Sequence, residues 1–236
     1  MTWNVHRAKG RDGKVQPERV EQAIAGVLAP YQPDILALQE ADEERRPHAR
    51  ILDVARIASD TGLTYVHNRK ELRWGPESDG FLGTILFLSD RFRQAEADVI
   101  DLPGHCHRGA IVIEAMAGDR HVRIMSTHLS LSQPLRVIQM RIIGQYLRRR
   151  PKMQTILLGD LNEWRPWRGL AFSRKIVGTQ FAGPAKATFP TGLPILPLDR
   201  ILTNAPGRVE RVEVVDNPDT NAASDHRPLH GVVTVA

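Results

Sequence analysis

The sequence is short of cysteine, of long apolar runs and of repetitive segments, and each shortage excludes a class of protein. A single cysteine, Cys106, among 236 residues excludes an internal disulfide and favours a reducing compartment such as the cytoplasm. No run approaches the roughly 18 apolar residues of a membrane-spanning helix. Without an internal repeat, low-complexity tract or linker, residues 1–236 are expected to form one domain.

Two features of the chain leave its binding partner and its cellular compartment undetermined. The net charge of +5 and the pI near 9.7 favour an anionic partner, but nucleic acid, a phosphoinositide headgroup and an anionic membrane surface all fit that sign. Residues 2–4 would be the end of a central strand, yet only Met1 precedes them, and a central strand usually has about five or six residues. The native start could therefore lie upstream, and a signal peptide could have been removed with it.

Strand patterns separated by helical patterns in both halves of the chain predict an α/β protein. Apolar residues at helical spacing predict helices over residues 17–28, 48–61, 134–150 and 169–177. Strands are predicted over residues 2–6, 34–40, 65–67, 81–88, 95–102, 108–116 and 122–129, then from residue 154, with three more after residue 177.

The strand that begins at residue 154 ends in an unusual way. Three large apolar residues, residues 156–158, predict a strand buried on both faces. Gly159, Asp160 and Asn162 follow directly, and such residues also dominate ordinary turns. A simple turn is thus the competing interpretation, but several other predicted strands end with polar side chains in the same manner.

These strand ends share a pattern that resembles the endonuclease/exonuclease/phosphatase superfamily, and the resemblance runs in the family's order from residue 2 to residue 229. The matching segments are Asn4, residues 38–40, residues 127–129, residues 159–162, residues 198–202 and residues 224–226. The resemblance implies a four-layer α/β/β/α sandwich, in which two packed mixed sheets are flanked by helices. It also implies that the protein hydrolyses phosphate esters.

The acidic and amide residues of these segments supply only oxygen ligands: Glu40, Asp160, Asn162, Asp225 and Asn4. Oxygen donors suit a hard cation such as Mg²⁺ or Mn²⁺ and fit zinc poorly. The resemblance implies that Glu40 is the principal metal ligand and that Asn4 lies beside it. Asp225 would help to bind or position the metal, or a second one.

The resemblance also assigns roles in catalysis. Asp160 would orient and activate the water, and Asn162 would hydrogen-bond the developing charge. The dyad of His226 and Asp199 would stabilise the phosphoryl group or share the proton, because a carboxylate fixes the tautomer of the imidazole that it accepts from. His128 would contact the scissile phosphate or protonate the leaving group.

Substrate contacts are predicted at Arg108, Trp164 and Arg165. Arg108 opens a strand at a place where relatives often carry a phosphate-facing basic residue, although an exposed strand-start arginine is nearly as plausible. Trp164 and Arg165 belong to a rim loop, residues 163–168, which could stack a base, grip a phosphate, enter a lipid interface or simply pack. Residues 188–190 resemble a family segment near the site and could be structural only.

Three functions remain open at this stage. The leading hypothesis is a phosphodiesterase that uses metal-activated water, either a nuclease or a hydrolase of phospholipid-type diesters. The alternatives are a phosphomonoesterase acting on inositol or sugar phosphates and a non-catalytic binding module. The expected partner is a phosphate-ester substrate; no stable protein partner is predicted, and the sequence does not determine the oligomeric state.

Overall fold

The protein folds into two mixed β-sheets with helices on their outer faces, as seen in a computed structural model that describes residues 1–104, 106, 108–165 and 169–236. Within those residues, one sheet has six strands in the order β10-β11-β1-β2-β4-β3 and the other has five in the order β5 to β9. The strands are β1 (Thr2–Asn4), β2 (Ile35–Gln39), β3 (Thr64–Tyr65), β4 (Ile85–Leu88), β5 (Phe92–Leu102), β6 (Arg108–Ala117), β7 (Arg120–Thr127), β8 (Gln154–Asp160), β9 (Asp199–Thr203), β10 (Arg208–Val214) and β11 (Leu229–Thr234).

The helices pack on the outside of both sheets. They are α1 (Pro17–Ala23), α2 (Val54–Thr61), α3 (Gln133–Arg148), α4 (Arg174–Val177) and α5 (Pro218–Ala223). A π-helical turn, Ile24–Leu28, continues α1, and 3₁₀ turns lie at His6–Ala8, Ala29–Tyr31 and Lys70–Leu72.

Three apolar clusters correspond to the three interfaces between layers. One joins α1, α2 and α5 to the six-stranded sheet and includes Trp3. The second lies between the sheets and includes Ile124 and Leu158, and the third joins α3 and α4 to the five-stranded sheet and includes Leu157. Because Leu157 and Leu158 face opposite layers, β8 is buried on both sides, as its apolar run predicts. The predicted four-layer α/β/β/α sandwich is confirmed.

The strand directions bring the predicted site residues to one end of the sandwich. β1 and β2 run parallel, with Asn4 opposite Gln39, so Asn4 and Glu40 emerge together. β7 and β8 are also parallel, and their ends carry His128 and Asp160. β9 is antiparallel to β8 and pairs Asp199 with Asp160, so the start of β9 meets the end of β8.

Some element boundaries differ from the sequence-based predictions because local hydrogen bonds override helical or strand periodicity. α2 begins at Val54 rather than at residue 48, since the Asp53 side chain accepts from Arg56 N and caps the helix there. β4 begins at Ile85 rather than at residue 81, because Leu82 and Gly83 adopt positive φ in a tight turn. The short helix α5 was not predicted; it starts at a proline and is capped by Asn217.

A buried histidine far from the strand ends gives the fold a testable pH dependence. The ring of His67 accepts from Leu86 N at 3.1 Å and contacts Leu72 O at 2.7 Å, and burial lowers its pKa to about 4. Its folded-state pKa is therefore below the unfolded value of about 6.5. The stability that depends on the neutral ring is fully present above the unfolded value and is lost as the pH falls towards about 4.

We therefore expect the free energy of unfolding to fall by about 3 kcal/mol between about pH 7 and pH 4 through His67 alone. Urea unfolding of the protein and of the His67→Gln variant over this range measures the effect. The variant should be less stable at neutral pH but should lose less stability on acidification. Equal losses in both proteins would contradict the assignment.

Candidate active site

A glycine at the end of β8 sets the distance between the two strands that carry Asp160 and His128. Gly159 has a φ of +140°, and a Cβ built on it would lie 1.9 Å from the carbonyl oxygen of Thr127. Any side chain here would clash with the backbone of β7, so glycine permits the close approach. Leu129 N then donates to Asp160 O at 2.9 Å, and this bond fixes the loop that carries His128 against the end of β8.

Asp160 is the centre of the cluster. Its Oδ2 accepts from Asn4 Nδ2 at 2.9 Å and lies 3.4 Å from His128 Nε2 and 3.8 Å from His226 Nε2. Its Oδ1 accepts from the backbone N of Asn162 at 3.0 Å. Burial raises the pKa of Asp160 to about 6, with a further increase from Asp199, while His226 and the hydrogen bonds act in the opposite direction. A carboxylate with these surroundings can accept a proton near neutral pH.

His226 and Asp199 form the predicted dyad. His226 Nδ1 lies 2.8 Å from Asp199 Oδ2, which also accepts from Thr188 Oγ1 at 2.5 Å. Trp3 Nε1 donates to the backbone carbonyl of His226 at 2.9 Å, and the Phe189 ring packs 4.8 Å from the imidazole. Burial disfavours the imidazolium, but the Asp199 carboxylate outweighs it and raises the pKa of His226 to about 10. The ring is thus held with Nε2 facing Asp160.

Glu40 lies on the other side of Asp160 and is paired with a basic residue that was not predicted. Its Oε1 accepts from Asn4 Nδ2 at 3.3 Å and lies 3.9 Å from His128 Nδ1, while its Oε2 is 2.5 Å from Arg7 NH1. Arg7 reaches Glu40 because residues 6–8 all adopt positive φ and turn the chain back after β1. Asn4 therefore bridges two carboxylates through its amide nitrogen.

The acidic residues leave oxygen atoms that suit a divalent cation. Glu40 Oε2 and Asp225 Oδ1 are buried and have no hydrogen-bond partner in the described part of the chain, although Arg7 lies beside the first and His6 Nδ1 lies 3.4 Å from the second. Carboxylate oxygens of this kind fit Mg²⁺ or Mn²⁺. Asp160, Asp199 and His226 also offer ligand atoms within 4.8 Å of one another and could hold a metal ion. In that cluster, however, His226 Nδ1 and Asp199 Oδ2 are already bonded to each other.

The remaining predicted catalytic residues also lie within this end of the sandwich. Asn162 has a φ of +50° and donates its amide to Leu129 O at 2.9 Å, which ties it to the loop after His128. Burial lowers the pKa of His128 well below its usual range, and the charges of Arg108, His226 and Arg7 add to the effect. Arg108 is half-buried at the start of β6 and shares a small polar cleft with Arg7, Glu40 and His128.

Trp164 and Arg165 lie on the rim and contact each other. Trp164 is exposed, and the guanidinium carbon of Arg165 sits 4.4 Å from the centroid of its ring. Arg165 NH1 donates to Glu163 Oε1 at 3.1 Å and its NH2 donates to Gln133 Oε1 at 2.7 Å. Arg165 is thus held beside the tryptophan ring by its bonds to Glu163 and Gln133. Residues 166–168 of the predicted rim loop lie outside the described residues.

Two groups near the site were missed by reasoning from sequence. Thr188 orients Asp199, and its only signal was the resemblance of residues 188–190 to a family segment. Beneath the rim, Arg136 and Arg200 are buried with Glu163, and Arg200 NH2 donates to the carbonyls of Glu163 and Arg165 at 3.1 and 2.8 Å. A buried arginine in a strand or helix cannot be distinguished from an exposed one by composition alone.

A model of the endonuclease/exonuclease/phosphatase family matches residues 1–226. The chain belongs to this family. The matched range includes every residue predicted for the site, from Asn4 to His226. No curated protein sequence matches the chain.

Solved structures share the fold of this family member over nearly its whole length. A truncated TDP2 from Caenorhabditis elegans has a TM-score of 0.68 at 22% identity, with 100% of this chain and 96% of that chain covered. The human Nocturnin catalytic domain with bound sulfate anion has a TM-score of 0.71 at 21% identity, with 99% and 93% covered. TDP2 from D. rerio complexed with single strand DNA product has a TM-score of 0.69 at 17% identity, with 99% and 97% covered.

In this family member the buried cluster and the fold are therefore consistent with a phosphoesterase. Among the described residues, no helix is both long and apolar enough to cross a membrane.

Proposed function

We propose that the protein is a divalent-metal-dependent phosphodiesterase. The observation that supports this best is the arrangement of Asp160 between two imidazoles, with Nε2 of His128 at 3.4 Å and Nε2 of His226 at 3.8 Å, beside a second carboxylate at Glu40. Hydrolysis of a phosphate ester needs a base for water, positive charge at the phosphoryl oxygens and a proton for the leaving oxygen. These side chains supply each of them within one buried cluster.

Glu40 and Asp225 are the proposed metal ligands. Asp225 Oδ1 is buried without a hydrogen-bond partner among the described residues, and Glu40 Oε2 is paired with Arg7 at 2.5 Å, a contact that a cation there would replace. Asn4 supports Glu40 through its amide hydrogen bond at 3.3 Å. A divalent cation held there would neutralise the phosphoryl oxygens and favour ionisation of water. Magnesium or manganese fits this oxygen-only donor set.

The chain's own residues then account for the proton transfers. Asp160 accepts a proton from the attacking water, the new oxygen–phosphorus bond forms, and the bond to the leaving oxygen breaks. His226, held by Asp199, stabilises the phosphoryl charge and gives a proton to the leaving oxygen. Because Asp160 and His226 lie 3.8 Å apart, the proton can return to the imidazole and restore the starting state. His128 and Asn162 hydrogen-bond the phosphate, and Arg108 adds positive charge at the cleft.

The test is hydrolysis of bis-(p-nitrophenyl) phosphate and p-nitrophenyl phosphate with Mg²⁺ or Mn²⁺, with and without EDTA. EDTA-sensitive cleavage of the diester is the expected result, and release from the monoester alone would indicate a phosphomonoesterase. Direct Mn²⁺ binding, measured by electron paramagnetic resonance, should weaken by about tenfold or more in Glu40→Gln. Unchanged binding in that variant would exclude Glu40 as a ligand, and absence of both binding and hydrolysis would indicate a non-catalytic module.

A further inference from the structure

Five exposed apolar side chains lie on loops at the catalytic end of the sandwich, on the side of the five-stranded sheet. We name this set the apolar rim: Leu131, Trp164, Leu170, Leu193 and Ile195. The four aliphatic members are each more than half exposed, and Trp164 is 49% exposed. A single exposed leucine needs no explanation, but a group of large apolar residues around a site marks an interaction surface.

The three loops that carry the apolar rim meet at one end of the fold. Leu131 follows β7, Trp164 and Leu170 follow β8, and Leu193 and Ile195 precede β9. Because β7 and β8 are parallel and β9 runs the opposite way, all three loops emerge at the edge where Asp160 and Asp199 lie.

Hydrogen bonds from three arginines connect these loops to one another. Arg136 NH1 donates to Leu131 O at 2.6 Å, and Arg165 NH2 donates to Gln133 at 2.7 Å, so the first loop contacts the second. Arg200 donates to Pro197 O at 2.7 Å and to Arg165 O at 2.8 Å, so the second contacts the third. The loops that carry the apolar side chains are therefore hydrogen-bonded to one another.

A basic loop lies beside the apolar rim. Lys9, Arg11 and Lys14 are exposed in the segment after β1, while the acidic residue among them, Asp12, is paired with Arg19 at 3.0 Å. Arg11 NH2 lies 3.1 Å from the position that a Cβ on Gly192 would occupy, which places this loop against the turn next to Leu193. Positive charge and exposed apolar side chains thus share one surface.

We propose that this surface docks on an anionic phospholipid bilayer and presents the site to a phospholipid diester. The inference rests on the proposed phosphodiesterase activity for its choice of substrate. Aliphatic side chains gain free energy from burial among acyl chains, and basic side chains are attracted by anionic headgroups. Nucleic acid is bound by basic grooves with aromatic platforms, and four of the five members of the apolar rim cannot stack on a base.

The experiment measures docking apart from catalysis. The protein is sedimented in EDTA with vesicles of phosphatidylcholine and phosphatidylglycerol at about 7:3, and with vesicles of phosphatidylcholine alone. Wild-type protein should bind the anionic vesicles more tightly. The Leu131→Ser/Leu193→Ser/Ile195→Ser variant should bind them about tenfold more weakly or worse. The Lys9→Gln/Arg11→Gln/Lys14→Gln variant should lose the preference for anionic vesicles.

The matched control is Tyr31→Ser/Val232→Ser, which removes exposed apolar side chains at the opposite end of the sandwich and should bind like the wild type. Circular dichroism melts show whether each variant folds, and Leu193→Ser alone serves if the triple variant does not. Wild-type protein that fails to bind anionic vesicles, or an apolar-rim variant that binds normally, would overturn the proposal. So would tight binding of a single-stranded oligonucleotide that depends on the same three residues, which would assign the surface to nucleic acid.

These outcomes separate the two proposals. Diester hydrolysis without vesicle binding would overturn the docking surface and leave the proposed function in place. Vesicle binding without any metal-dependent hydrolysis would overturn the proposed function and leave the docking surface.

Discussion

Replacing Asp160 with asparagine is expected to lower turnover of bis-(p-nitrophenyl) phosphate by about 10³-fold or more. The amide oxygen can keep only one of the two hydrogen bonds that the carboxylate accepts, from Asn4 Nδ2 at Oδ2 and from Asn162 N at Oδ1, so asparagine preserves the shape of the side chain and part of its hydrogen bonding. The amide cannot accept a proton from water or balance the positive charge of the His226 imidazolium. The measurement is the steady-state rate with saturating Mn²⁺, together with a thermal melt that shows the variant to be folded.

The matched control for this substitution is Glu114→Gln. It makes the same carboxylate-to-amide change in the five-stranded sheet, outside the catalytic cluster. Glu114 Oε1 there lies 2.6 Å from Arg123 NH2. This variant should hydrolyse the diester at the wild-type rate. A folded Asp160→Asn protein with near-normal turnover would remove Asp160 from the role of base.

The second large effect is expected at the dyad, where His226→Ala should also lower turnover by about 10³-fold. Asp199→Asn should produce a large loss as well, because the 2.8 Å bond to Nδ1 holds the ring and favours its charged form. If Asp199 acts through His226, the double variant should be no slower than the slower single variant. The three rates, measured on the same diester, form a double-mutant cycle.

Multiplicative losses in that cycle would show that Asp199 and His226 act independently and would contradict the dyad. Binding of Mn²⁺ provides the accompanying control, since neither residue is a proposed ligand. Both single variants should retain the wild-type affinity for the metal. A large loss of affinity in either would instead assign the metal to the cluster of Asp160, Asp199 and His226.

The polar strand ends were predictable because several predicted strands end with acidic, amide or histidine residues, although any one of these ends could be an ordinary turn. Asp160 and Asn162 stand directly after a run of apolar residues, and Asp199 opens another strand. The parallel pairing of β1 with β2 and of β7 with β8 in the structure then brings such ends together. The α/β class therefore follows from patterns that can be read from the sequence, whereas the four-layer sandwich and the grouping of these residues into one site were implied by the resemblance to the family.

The contacts that refine the site were not predictable from those patterns. Arg7 pairs with Glu40 only because residues 6–8 adopt a left-handed backbone, which residues with a Cβ rarely do. Arg200 is buried against the backbone carbonyl of Arg165, in a loop distant in sequence, and Arg136 folds back onto the carbonyl of Leu131 in the loop before its own helix. The start of α2 was wrong for a similar reason, since an aspartate cap decided it and apolar spacing did not.

The pairing of Asp160 with Asp199 across β8 and β9 has a consequence for how the protein can be improved or can evolve. Two carboxylates directly opposite one another on neighbouring strands repel, and this repulsion opposes folding. Burial is the main reason that the pKa of Asp160 is raised, and the nearby Asp199 carboxylate adds to the increase. At this cross-strand pair, a change that raises thermostability is thus expected to lower the catalytic rate. Selection for heat resistance alone would be expected to replace one of the two aspartates with a neutral residue. The resulting protein would be more thermostable but catalytically inactive.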